Sequence, residues 1–162
     1  MHLQERVSLL AKAKANPKLQ GIEIELGKRD IIYFFNTYLY TDKNKTLFTD
    51  ESPDTLPFIL FPFQEEYVTE VWKSIIEWNK PVSERDPNEL TNVFVEKSRQ
   101  MGLSWLTCWI FLYGFVFFDH KYTIISRTAD EVDKLGDMDS MFEKIRFMIR
   151  NLPSWMLPKW LS

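Results

Sequence analysis

Thr91-Asn92-Val93-Phe94-Val95-Glu96-Lys97-Ser98-Arg99-Gln100-Met101-Gly102-Leu103-Ser104 is the stretch that decides the architecture expected of this chain. Residues 91–95 are β-branched and aromatic over the length of a short buried strand. Trp105–Phe118 follows, a run of 14 residues apolar on every side, which predicts a helix enclosed by protein. Lys121–Ser126 (KYTIIS) has the composition of a second strand. Strand, loop, helix and strand in that order predict a βαβ unit of a parallel sheet. The loop compares with the phosphate-binding pattern G-x-x-x-x-G-K-[ST]. With its second glycine on Gly102, Ser104 takes the hydroxyl position, Leu103 the lysine position and Lys97 the first-glycine position. The lysine is displaced to the start of the loop, from where it can fold back onto the β- and γ-phosphates. Backbone N–H groups at a helix start, a cation and a hydroxyl for Mg²⁺ are all retained, and Arg99 adds a bidentate phosphate donor. The competing interpretation is a surface turn with two basic residues.

Outward from this loop, helical spacing covers residues 3–15, with Pro17 beyond its end. Asp30 is an N-cap for a helix over 31–40, whose Tyr33, Phe34 and Tyr38 read as core packing. Residues 41–55 are polar and turn-rich, a loop. Residues 57–62 (PFILFP) are extended between prolines. An amphipathic helix is expected over 64–78, with Val68, Val71, Trp72, Ile75 and Ile76 on one face, then a connecting loop over 81–90. Thr128 and Glu131 form a capping box that opens one helix to about Arg150, with Leu135, Met138, Phe142, Ile145 and Ile149 as its apolar stripe. The tail ends in Trp155 and Trp160 with no following element to bury them.

Composition narrows the class. The chain has 162 residues, 45% hydrophobic and 15% aromatic, including 13 Phe, 6 Trp and 6 Tyr. That excludes a disordered chain and allows one sizeable core. The formal charge is −3, so nucleic-acid contact would have to be local. Cys108 is the single cysteine and reads as a buried thiol; with two His, a structural zinc site is not expected. The N-terminus is too charged for a secretory signal, and the longest apolar run is short of the roughly 20 residues of a membrane span. A cytoplasmic protein is expected.

The segment KSRQMGLSW after an apolar strand resembles the deviant Walker A loop of phage terminase large subunits. Pro57–Gln64 (PFILFPFQ) before a helix resembles the adenine-recognition segment of that family, and Tyr122–Ala129 (YTIISRTA) its next strand and turn. The resemblance covers about residues 30–160. It implies an α/β fold: a partial P-loop, ASCE-type parallel sheet flanked by helices, with an N-terminal helical segment over 1–56 and an incomplete ATPase domain over 57–162. It also implies ATP with Mg²⁺ as cofactor and the packaging of double-stranded DNA into a procapsid. The portal and the small terminase subunit would be partners. Residue by residue, Lys97 matches the phosphate lysine, Arg99 the γ-phosphate sensor, Ser104 the Mg²⁺ hydroxyl and Gln64 the adenine-reading glutamine. The rest of the loop (Ser98, Gln100, Met101, Gly102, Leu103) would line the nucleotide. Arg127 would touch DNA or ATP, or else be a solvated residue after a strand.

Hydrolysis further requires an Asp for Mg²⁺ and a Glu for water at a strand end. The only candidate is Asp119, and a helix of about 14 residues, roughly 21 Å, separates it from the phosphates. No acidic nuclease cluster is present. The expectation is therefore a partial motor domain that binds ATP without turning it over and that self-associates through uncovered apolar faces. Two alternatives stand beside it. One is a non-enzymatic module, a phage remnant that binds a partner through its aromatic surface. The other is a helicase-like remodeller, against which the displaced lysine argues.

Overall fold

Helix α1 (Leu3–Lys14) gives way at Asn16 to α2 (Pro17–Arg29). Asn16 Oδ1 accepts from the N–H groups of Lys18 and Leu19, and Pro17 holds the first helical position, where no N–H is needed. Asp30 repeats the device. Its Oδ1 accepts from Ile32 N and Tyr33 N at 2.9 and 3.0 Å and starts α3 (Ile31–Tyr38). The computed structural model describes residues 3–42, 55–89, 91–97, 101–159 and 161. Within these, β1 (Tyr40–Asp42) and β2 (Thr55–Pro57) pair antiparallel in the register Tyr40↔Pro57, Thr41↔Leu56, Asp42↔Thr55. Helices α4 (Pro62–Asn79), α5 (Leu103–Phe118), α6 (Ala129–Val132) and α7 (Met141–Asn151) follow.

The core is a helical one, built around α5. Trp109, fully buried, meets Phe58 at 5.2 Å and Phe35 at 6.1 Å between ring centroids, both edge-on. Tyr113 packs edge-on against Trp72 of α4 at 4.9 Å and donates its hydroxyl to Lys28 O at 2.8 Å. Met148, Leu152 and Met156 close the core from the C-terminal side. It draws on both sides of residue 56. Cys108 is buried, its Sγ 3.5 Å from Met141 O. Two buried polar groups clasp the N-terminal helices to this core. Arg6 donates to Leu39 O at 2.5 Å and to Phe58 O at 3.2 Å, with its guanidinium over the Tyr40 ring. Glu23 accepts the hydroxyls of Tyr33 and Tyr38 at 2.6 and 2.8 Å. Among the described residues, no helix is long and apolar enough to cross a membrane.

Three expectations are corrected. The first is the α/β, P-loop parallel sheet flanked by helices: the chain is mostly helical, and β1 and β2 are the only strands among the described residues. Residues 91–97 and 121–126 enter no ladder. Val93 and Val95 are exposed, Phe94 is 96% exposed and Ile125 88%. A parallel strand must be paired at its edges and covered on both faces. The two segments have the composition for that and, among the described residues, none of the partners; the core is formed instead by α4 and α7 packing on α5. Second, the helix expected over 128–150 is interrupted. Thr128 Oγ1 does cap α6 by accepting from Glu131 N, but α6 ends at Val132. Gly136 adopts the left-handed conformation (φ 78°), and Ser140 Oγ caps α7 afresh by accepting from Glu143 N at 3.3 Å. Short polar side chains at Asp137 and Ser140 offer the backbone local acceptors that compete with continued helix. Leu135, placed on an apolar stripe from sequence, is 81% exposed. Third, Trp155 is half-buried: the tail makes a short 3₁₀ turn, Ser154–Met156, and Trp155 lies edge-on to Tyr38 at 6.0 Å, while Trp160 lies outside the described residues.

Candidate functional site

The start of α4 and the start of α5 meet at one glutamine. Gln64 is the third residue of α4, and its Oε1 reaches back to accept from Phe61 N at 3.0 Å, which satisfies an N–H that the helix itself cannot. Its Nε2 donates to Met101 O at 3.1 Å, across 37 residues of chain. Gln64 is only 3% exposed, and each end of its amide is engaged. A second link runs one turn further in: Tyr67 Oη and Thr107 Oγ1 lie 2.7 Å apart, and Thr107 Oγ1 also lies 2.9 Å from Leu103 O.

Gly102 makes the turn into α5. It sits at φ 76°, ψ 3°, a conformation that favours glycine. A Cβ there would lie 3.2 Å from Gln64 Nε2, so the position is also tight. Gly102, the N-cap, has no side chain to cap α5. Among the described residues no side chain takes up its first-turn N–H groups, and the helix dipole favours an anion there. Ser104 is exposed in this first turn, while Leu103 and Met101 are half-buried. Lys97 is exposed at the end of the extended 91–97 segment. Ser98, Arg99 and Gln100 lie outside the described residues.

The remaining candidates lie elsewhere. Arg127 is exposed and donates to Glu131 at 2.7 Å, an i,i+4 pair at the start of α6. So exposed a pair restrains the side chain only weakly. Asp119 ends α5 in the left-handed region at φ 54°. It stands at the far end of that 16-residue helix from Gly102, roughly 24 Å away at 1.5 Å per residue. Among the described residues, no group of three or more His, Cys, Asp or Glu is placed to hold a metal ion.

Sequence reasoning did not find Phe61 and Phe63. They flank the Gln64 turn as parallel exposed rings, 5.9 Å between centroids and 4° between planes. Only the alternation of aromatics around a proline, F-P-F-Q, hinted at a flat surface there. No protein-family model matches the chain, and no curated protein and no solved structure is found to resemble it.

Proposed function

We propose that the chain is a nucleotide-binding portion of a viral DNA-packaging motor of the terminase large-subunit kind, holding Mg-ATP at the loop between Lys97 and Ser104. The observation that carries this is the bond from Gln64 to Met101 O, which brings the suspected adenine segment to the suspected phosphate loop. The residues suit the ligand. The N–H groups at the start of α5 would take the phosphates, Lys97 would supply the cation, and the Ser104 hydroxyl would face Mg²⁺. The exposed faces of Phe61 and Phe63 offer a purine an apolar surface beside the Gln64 turn. The ligand contacts named here come from the loop and the start of α5, although residues 91–97 before the loop run extended and pair with no other strand among the described residues. Double-stranded DNA, a portal and a small terminase subunit belong to this reading as partners of the motor. With Asp119 at the wrong end of α5, turnover should be negligible.

The test is titration with a fluorescent ATP analogue and Mg²⁺, using wild type, Lys97→Ala and Gln64→Ala. Loss of one charge-assisted phosphate contact should weaken binding by about 10-fold in Lys97→Ala. Equal binding by wild type and Lys97→Ala, or no binding by either, would refute the assignment. A second reading, a non-enzymatic module that associates through its apolar surface, is favoured by the exposure of Val93, Phe94 and Val95. Light scattering against concentration separates the two. Association abolished by Phe94→Ser, with no nucleotide bound, would favour the module.

A further inference from the structure

The outer face of α2 carries apolar side chains that the core does not use. On a wheel of 100° per residue, Lys18, Ile22, Leu26 and Arg29 fall within about 80° of one another, turned away from the buried Gly27. Ile22 is 55% exposed and Leu26 40%. Phe118, from the end of α5, joins them at 39% exposure, and together they floor a groove of about 820 Å³. Lys18, Lys28 and Arg29 stand around this floor against a single carboxylate, Glu25. The groove is thus locally basic on a chain whose formal charge is −3.

Gly21 supplies an independent observation. It lies inside α2, where glycine is a poorer helix former than alanine. Among the described residues nothing requires it: a Cβ at Gly21 would meet no described atom within 4 Å, and its φ is not left-handed. The bare backbone leaves an open dip in the groove wall.

We propose that this face of α2 docks an acidic amphipathic helix of a partner protein. Leucine-like side chains would cover Ile22, Leu26 and Phe118, one of them seated over Gly21, and flanking carboxylates would meet Lys18, Lys28 and Arg29. An anionic membrane fits less well. Glu25 sits among the cations, so the face carries a fixed, mixed charge pattern that a folded peptide can match side chain by side chain and a fluid headgroup layer matches only on average.

The probe is a fluorescein-labelled, hydrocarbon-stapled helical peptide with Leu at i, i+4 and i+7 and Glu beside them. Its counterpart carries Lys in place of Glu. Anisotropy titrations at low salt should show binding of the Glu peptide alone. The Lys18→Glu/Arg29→Glu double variant should weaken it by about 10-fold or more. Gly21→Ala should weaken docking while raising the thermal midpoint of the free chain, a pairing that a merely structural role would not give. Circular dichroism shows whether the double variant keeps its helix content; if it does not, Gly21→Ala alone decides. Equal affinity for the two peptides, no binding of either, or tighter docking to Gly21→Ala would overturn the proposal. So would variant-sensitive co-sedimentation with phosphatidylserine vesicles without peptide binding, which would assign the face to a membrane.

Discussion

Gly114→Ala is a substitution for which helix propensity and packing give opposite signs. Gly114 lies in the interior of α5, and on propensity alone alanine should stabilise it by about 1 kcal/mol. The packing forbids the methyl group. A Cβ at this position would collide with the Tyr122 hydroxyl, lie 2.9 Å from Tyr122 Cζ and come within 3.2 Å of His120 Nδ1. Tyr122 cannot retreat cheaply, since its ring stacks on Phe111 at 4.4 Å with 11° between planes. Moving it out forfeits about 1 kcal/mol of ring–ring contact and about 1 kcal/mol for re-exposing a half-buried ring. Set against the propensity gain, the net expectation is a destabilisation of about 1 kcal/mol. The assay is urea denaturation followed by tryptophan fluorescence, run as a cycle with Tyr122→Ala. In the Tyr122→Ala background the clash is gone, and Gly114→Ala should become stabilising. If Gly114→Ala stabilises the parent chain, or if its sign is the same in both backgrounds, Tyr122 does not lie where it is described and the reasoning fails.

Two further predictions concern titrating groups. Burial pushes the Cys108 thiol up to about 12 from an ordinary value of 9.0, so the native chain should be silent to a thiol reagent at about pH 8 and react once unfolded. Because the folded value is the raised one, the stability that this thiol contributes is complete below pH 9 and is lost as pH rises toward 12, visible as a falling thermal midpoint. Glu143 is the opposite case. Its hydrogen bond with Arg150, aided by Gly136 N and Arg146, holds its carboxyl below the usual range. The stabilisation it gives is present above the ordinary carboxylate pKa and fades as pH falls through the lowered one. Glu143→Gln should therefore melt lower than wild type at neutral pH, and the two curves should converge toward about pH 3; a gap that persisted in acid would refute the assignment.

What was legible in the sequence was local. Asp30 announced α3 because an N-cap acts over three residues, and the all-round apolar run from Trp105 announced α5 because a buried helix needs no polar face. Helix α2 is harder to see in the sequence. Asn16-Pro17 signals a helix start as clearly as Asp30 does, but the same Pro17 equally marks the end of α1, and the exposed Ile22 and Leu26 blur the amphipathic pattern of α2. The sheet failed for a different reason. Residues 91–95 and 121–126 carry strand composition, yet a ladder is a relation between distant segments that composition does not encode. At the candidate site, the positive φ of Gly102 was implicit in its choice as the loop glycine. The contact of Gln64 with Met101 O was not, because a glutamine at the third position of a helix satisfies its own capping role and gives no sign of a second partner.

The pairing of β1 with β2 and the grip of Arg6 have a consequence for how much change the chain tolerates between them. Residues 43–54 leave the described structure at Asp42 and return at Thr55, directly opposite each other in the ladder. Behind that pair, Phe58 N donates to Leu39 O, and Arg6 holds both carbonyls of the same two residues. The ends of the segment are thus fixed by bonds that do not depend on what joins them. If residues 43–54 serve the core only as a connection, their length enters through the entropy of closing it, about 0.6 kcal/mol per doubling. Doubling it with about twelve Gly and Ser residues placed after Asn44 should lower stability by less than about 1 kcal/mol. A larger loss in urea denaturation would show that the segment itself supports the core.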